Sequence, residues 1–100
     1  MSIWTRIVPR KSGAPLALVL YTRARCPLCD EMKAEIARAG LGSRCVLREI
    51  DVDSEPALAL RYGRSVPVLE IEGRAAFKGR LTAADLRRKV ERAMGEGEPA

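Results

Sequence analysis

Cys26 and Cys29, in the run Cys26-Pro27-Leu28-Cys29, are the residues of this chain best suited to chemistry. An apolar run, residues 16–22 (LALVLYT), precedes them and reads as a strand, and a segment with helical spacing follows. A thiol at a helix start meets unpaired backbone N–H groups and the positive end of the helix dipole, and both favour the thiolate. A second thiol one turn further on can attack a mixed disulfide formed at the first. The pattern therefore predicts thiol–disulfide exchange, with Cys26 as nucleophile and Cys29 as resolving thiol. Arg23 and Arg25 add positive charge in front of Cys26, while Asp30 and Glu31 oppose it in the first turn. The net expectation is a Cys26 thiol somewhat more acidic than a free one, which titrates near about 8.5. The competing reading of the same residues is a structural disulfide or an inert thiol pair.

The totals narrow the field. The 100 residues, 47% of them hydrophobic, suit one domain with a single core. With 3 cysteines and no histidine, zinc lacks its usual four Cys/His ligands unless a carboxylate completes the set, and a histidine general base is excluded. No metal and no resident cofactor are expected. The net charge of +5 comes from 18 Lys+Arg, of which 14 are Arg, against 13 Asp+Glu. Only Trp4, Tyr21, Tyr62 and Phe77 are aromatic, too scattered for a basic–aromatic nucleic-acid surface. The charge reads first as an ordinary solvated basic surface, with steering of acidic partners or of an anionic thiol as the second reading. No apolar run approaches the roughly 18–20 residues that cross a bilayer. Arg6, Pro9, Arg10, Lys11 and Pro15 leave no apolar core for a secretory signal. A soluble, monomeric, cytoplasmic protein without membrane or nucleic-acid partners is the expectation. In that compartment an isolated C-x-x-C is more often catalytic or metal-binding than structural.

The remaining elements must position the dithiol. Residues 1–15 read as an extension with room for a short extra strand, residues 16–94 as the folded domain and residues 95–100 as a fraying tail. The strand at 16–22 is apolar enough to be covered on both faces. A helix is predicted over 27–39, with Pro27 in its first turn, Leu28, Met32 and Ile36 as its buried stripe, and Gly40 and Gly42 ending it. A second strand follows over 45–52. Asp53 or Ser54 is expected to cap a further helix that has Pro56 in its first turn, Ala57, Leu58 and Leu60 behind, and Gly63 as its stop. Residues 66–71 read as a strand, Glu72-Gly73 as a hairpin turn and 74–78 as the return strand. A last helix starts at Thr82, with Asp85 as a weak capping-box partner and Ala83, Leu86, Val90 and Ala93 on one face. The order is β-α-β-α-β-β-α, an α/β sandwich around a mixed four-stranded sheet.

This order, with C-P-L-C at the first strand–helix junction, resembles the glutaredoxin and thioredoxin family. Three local motifs carry the resemblance over about residues 16–94. The stretch from Tyr21 through Thr22 and Arg23 to Cys29 is similar to the glutaredoxin run in which a tyrosine, a small residue and a lysine precede C-P-x-C. Ile50-Asp51-Val52-Asp53 with Pro56, then Arg61-Tyr62-Gly63, is similar to the thioredoxin passage before its proline loop. Ser65-Val66-Pro67 is similar to that loop, whose proline is cis in the family. The departures are informative. Leu20 and Arg25 stand where thioredoxins carry a buried Asp and a Trp. Phe77-Lys78-Gly79-Arg80-Leu81-Thr82 replaces the glutaredoxin Gly-Gly-Asp region that holds the γ-glutamyl end of glutathione.

The resemblance implies a thioredoxin-like, glutaredoxin-type α/β/α sandwich and a dithiol oxidoreductase that reduces protein or glutathione-mixed disulfides. Glutathione or a flavin reductase would supply the electrons, glutathione entering as co-substrate rather than as bound cofactor. It implies that Val66 and Pro67 form a substrate platform. Arg23, in the place of the glutaredoxin lysine, would then meet a glutathione carboxylate, and an unspecific surface arginine is the equally weighted reading. Thr82 stands near the missing Asp, although helix capping explains it without a ligand. Cys45 reads as a core thiol, with a regulatory or glutathionylated role as the minority view. The rival functions are a non-catalytic thioredoxin-fold module that binds a protein or metal, and an iron–sulfur carrier. The carrier is disfavoured because cluster-binding relatives have C-G-F-S and Pro27 obstructs a cluster.

Overall fold

The computed structural model describes residues 14–96, so the short extra strand expected at 3–8, within the extension 1–15, lies outside the described residues. Strand β1 (Leu16–Thr22) runs through the middle of a four-stranded sheet of order β2-β1-β3-β4, with β2 (Cys45–Asp51) parallel to it. Strands β3 (Val68–Ile71) and β4 (Arg74–Lys78) form an antiparallel hairpin, and β3 runs antiparallel to β1. Three α-helices complete the fold: α1 (Pro27–Arg38), α2 (Pro56–Tyr62) and α3 (Ala83–Glu96). This is the α/β architecture read from the sequence.

The two faces of the sheet differ. Leu16, Leu18 and Leu20 alternate along β1 onto one face and join Leu69 and Ile71 of β3. Met32 and Ile36 of α1 and Leu86 and Val90 of α3 close over them, which makes this the main core. The opposite face carries a smaller cluster of Val52, Tyr62 and Val68, with Tyr21, Leu58 and Val66 against it. Coverage of β1 on both faces is therefore corrected to one full face and one partial face. Helix α2 spans only 7 residues, about 10 Å at 1.5 Å per residue, and leaves Ala17 exposed.

Local chemistry explains the boundaries. Ala39 ends α1 and Gly40 continues at φ +61°, a left-handed turn that suits a residue without Cβ. The buried stripe of α1 is Cys29, Met32 and Ile36; Leu28, expected in it, is half-buried. Strand β2 stops one residue earlier than predicted because the Asp51 carboxylate accepts the Asp53 N–H at 2.8 Å, which turns Val52 out of the strand and into the smaller cluster. The residue preceding α2 is Glu55, without a side-chain cap bond, and not Asp53 or Ser54. Tyr62, rather than Leu60, is the buried anchor of α2, and Leu60 is 89% exposed. The hairpin turn holds Glu72 at φ +52° and Gly73 at φ +83°. Glu72 offsets that conformation by exchanging bonds with Ala17 through its own N–H (2.8 Å) and its carboxylate (2.7 Å). Thr82 caps α3 through its hydroxyl, which accepts the Asp85 N–H at 3.1 Å, and Glu35 of α1 accepts the Ala83 N–H at 2.9 Å. Helix α3 continues through Glu96, past the predicted fraying point at residue 95.

No helix among the described residues is long and apolar enough to cross a membrane.

Candidate functional site

Strand β1 delivers the chain to the dithiol at its C-terminal end. Arg25 takes a left-handed φ of +58°, a conformation that costs a non-glycine residue on the order of 1 kcal/mol, and this bend turns Cys26 into the helix start. Cys26 is the N-cap of α1, with extended backbone (φ −116°, ψ 98°), and Pro27 occupies the first turn, where no N–H is needed. The Cys26 sulfur accepts the Cys29 N–H at 3.1 Å, in the position that a serine or aspartate oxygen takes in an ordinary cap. Cys26 and Cys29 are joined as a disulfide, their Cα atoms 5.2 Å apart. Cys26 is half-buried, whereas Cys29 is 2% exposed, so one sulfur of the pair is accessible and the other is shielded.

The Val66–Pro67 bond is cis, and the pair belongs to the loop before β3 rather than to the strand predicted from residue 66. The register that sets Tyr21 opposite Val68 brings Pro67 to the same end of the sheet as Thr22 and the dithiol. The loop is fixed from two sides. The Tyr62 carbonyl accepts the Ser65 and Val66 N–H groups, and the Pro67 carbonyl accepts the Gly79 N–H at 2.8 Å.

Arg23 grips this end of the molecule. Its Nε and Nη2 donate to the two carboxylate oxygens of Asp53, each at 2.9 Å, and its Nη1 donates to the Gly63 carbonyl at 2.9 Å. The β1–α1 loop is thereby tied to the turn after β2 and to the end of α2. The fork expected to meet a ligand carboxylate thus already holds a carboxylate of this chain, and the Asp53 carboxyl is held below its ordinary range by that bond. A glycine is required at 63: a Cβ there would lie 2.4 Å from the Ala59 carbonyl oxygen and 3.0 Å from Arg23 Nη2. Arg25, by contrast, is exposed and has no ion pair among the described residues.

Two further polar groups escaped the sequence reading. Thr22, buried at 6% exposure, donates from its hydroxyl to Glu49 at 3.0 Å, and Lys33 reaches the same carboxylate oxygen at 3.3 Å. Behind the loop, Tyr21 and Tyr62 stack with ring centroids 4.3 Å apart, and both hydroxyls donate to Glu70, at 3.4 and 2.7 Å. The signal for this cluster was a lone carboxylate inside the apolar strand Val68-Leu69-Glu70-Ile71, which must find donors if it is to be half-buried. Burial first, then the bond to Glu70, pushes the Tyr62 hydroxyl from 10.0 to about 12, and Tyr21 is raised by burial and by Glu70 as well. A phenol raised on folding ionises first in the unfolded chain, so this contribution to stability is complete below pH 10.0 and is lost as pH rises through about 12. A phenolate absorbance titration should show tyrosine ionising late, and Glu70→Gln should bring it part of the way down, leaving the contribution of burial.

The third cysteine, Cys45, is half-buried at the start of β2, and burial pushes its thiol up. It pairs in register with Leu16, at the opposite end of β1 from Cys26. Among the described residues no three Cys, Asp or Glu side chains gather as a metal-holding set. A groove of about 520 Å³ lies beside α1, floored by Met32, Phe77 and Leu81 and crossed by the Arg80–Glu31 ion pair at 3.0 Å.

Comparison with known proteins identifies the family and the fold. Residues 17–91 match the family model described as Glutaredoxin-like domain (DUF836). The crystal structure of the structural-genomics target protein XcR50 from X. campestris is 33% identical, with a TM-score of 0.65 over 75% of this chain and 96% of that one. Protein Ne2328 from Nitrosomonas europaea is 28% identical, also with a TM-score of 0.65, over 80% of this chain and 96% of that one. A thioredoxin from Halobacterium salinarum, 24% identical, matches in fold, with a TM-score of 0.59 over 89% of this chain and 80% of that one.

Proposed function

The chain belongs to the glutaredoxin-like family, and from that premise we propose that it is a monomeric, cytoplasmic thiol–disulfide oxidoreductase that reduces protein disulfides or glutathione mixed disulfides. The observation that carries the proposal is the asymmetry of the dithiol. Cys26 is accessible at a helix start and Cys29 is buried one turn behind, within bonding distance.

The chemistry runs from that geometry. In the reduced protein the Cys26 sulfur has the Cys29 N–H and the start of α1 to stabilise its negative charge. The thiolate attacks one sulfur of a substrate disulfide; that S–S bond breaks and the other substrate sulfur leaves as a thiolate. Cys29 then gives up its proton and bonds to Cys26, releasing the first substrate sulfur as the second thiolate. Two electrons pass to the substrate, and the Cys26–Cys29 disulfide is the oxidised product. Glutathione, or a flavin reductase, returns the two electrons.

Val66 supplies the surface on which the substrate lies and offers its carbonyl to an extended chain, its N–H being held by Tyr62, while Pro67, fully buried, shapes the loop beneath it. Arg23 serves this site by holding the dithiol loop against Asp53 and Gly63, and Arg25 offers an exposed guanidinium. Reduction of a glutathione mixed disulfide and of an insulin-type protein disulfide, run side by side, tests the reading. Turnover of either substrate supports it. Inactivity in both, with the dithiol demonstrably reduced, would sink it in favour of a binding module that uses the cysteines structurally.

A further inference from the structure

The loop that carries the attacking sulfur and the loop that carries Val66 are both tied to the end of α2. Two neighbouring carbonyls there each hold one of them. The Tyr62 carbonyl accepts the Ser65 N–H at 2.8 Å and the Val66 N–H at 3.1 Å, which fixes the substrate loop. The Gly63 carbonyl accepts Arg23 Nη1 at 2.9 Å, and Arg23 stands three residues before Cys26. The end of α2 is itself anchored to the sheet. The Tyr62 ring stacks on Tyr21 of β1, and its hydroxyl donates to Glu70 of β3 at 2.7 Å. Arg23 has its own anchor in Asp53, whose two carboxylate oxygens accept from Nε and Nη2 at 2.9 Å each. A two-point fork of this kind fixes the plane of the guanidinium, and with it the direction in which Nη1 donates. The packing at the joint is close, since a Cβ on residue 63 would lie 3.0 Å from Arg23 Nη2.

From this chain of bonds, and resting on the oxidoreductase reading above, we infer that Asp53 is a positioning residue for extended disulfide substrates. It acts through Arg23. Asp53 orients the guanidinium, the guanidinium holds Gly63, and Tyr62 with Gly63 sets where the Val66 carbonyl stands relative to Cys26. A polypeptide disulfide needs both loops at once, because its backbone lies on Val66 while its sulfur meets Cys26. A small disulfide such as hydroxyethyl disulfide needs the sulfur alone. Loosening the brace therefore penalises the first more than the second, and a misplacement of about 1 Å can cost on the order of a hundredfold in an aligned reaction. Arg23 and Asp53 are 39% and 50% exposed, and an ion pair in such a place adds little to overall stability. The pair thus serves geometry rather than folding. The exchange itself is unaltered: the substrate disulfide becomes two thiols as Cys26 and Cys29 become a disulfide.

The test uses the full chain, reduced with dithiothreitol and freed of it, in single turnovers against two uncharged disulfides. One is a neutral extended peptide whose cysteine is disulfide-bonded to mercaptoethanol, and the other is hydroxyethyl disulfide. Neither responds to the charge that is removed with the carboxylate. Asp53→Asn keeps the shape of the side chain but loses one acceptor of the fork. It should lower the ratio of peptide to hydroxyethyl disulfide rate constants about tenfold, chiefly by raising the half-saturating peptide concentration. Arg23→Gln should do the same. The double variant should fall no further than either single one, because the two residues act as a unit. Asp53→Glu, which keeps a carboxylate, should recover most of the ratio, and the urea midpoints of all variants should stay close to the wild type. An unchanged ratio in Asp53→Asn, whether both rates hold or both fall together, would overturn the positioning role and leave the oxidoreductase standing. Losses that add in the double variant, or a collapsed urea midpoint, would overturn it as well. If the wild type reduces neither substrate, the oxidoreductase reading fails, and the positioning role with it.

Discussion

Cys29→Ser protein exposed to a disulfide should accumulate a stable mixed disulfide on Cys26, and Cys26→Ser should lose essentially all disulfide reduction. The two outcomes differ because the two sulfurs differ in access. Cys26 is half-buried at the N-cap, where an incoming disulfide can reach it, and Cys29 is 2% exposed beneath the first turn. Without Cys29 the mixed disulfide has no thiol within reach to resolve it, since a serine oxygen does not displace a thiolate. Without Cys26 the buried Cys29 has no line of attack on an external disulfide. Cys45 cannot substitute: it sits at the far end of the sheet, and burial pushes its thiol up, away from the thiolate form. Intact-mass measurement before and after reduction reads the adduct, and peptide mapping assigns it. An adduct on Cys45, or full activity in Cys26→Ser, would refute the assignment of roles.

The largest effect on stability is expected from Leu69→Ala. Leu69 is fully buried in β3, opposite Leu20 of β1 and Phe77 of β4, in the cluster that α1 and α3 close. Truncating it removes apolar contact and leaves a cavity that strands hydrogen-bonded on both sides cannot collapse to fill. The expected loss is about 2–5 kcal/mol. That is a large share of the roughly 5–15 kcal/mol that holds an ordinary domain together. Leu60→Ala is the matched control. Leu60 is 89% exposed on α2, so the same chemical change there should stay within about 0.5 kcal/mol. Urea unfolding of the two variants beside the wild type measures both. Equal midpoints would show that the core is not where the structure puts it.

The legible parts of this protein were those in which one short stretch carries its own reason. Pro27 next to Cys26, the apolar run that becomes β1, the Glu72-Gly73 turn and the Thr82 cap are local, and each appears in the structure. The readings that failed were non-local. The apolar residues of the α2 segment do not reveal which of them faces inward: that face is set by Tyr62, which needs Glu70 on a different element, and it leaves Leu60 89% exposed. The strand expected from residue 66 starts at Val68, because bonds from Ser65 and Val66 back to Tyr62 hold that segment as a loop.

Arg23 shows the same division at the candidate site. A basic residue three positions before Cys26 is visible in the sequence, and so is the dithiol it precedes. That its guanidinium holds Asp53 and Gly63 follows only from the folding of β2 and α2 back against β1. The sequence by itself determined the dithiol, its place at a strand–helix junction and the order of elements around it, because capping, turn chemistry and hydrophobic period act over a few residues. The tertiary structure alone decided which carboxylate Arg23 holds. Ion pairing depends on distances between groups remote in the chain, and Arg23 and Asp53 meet only when the turn after β2 folds back against the end of β1.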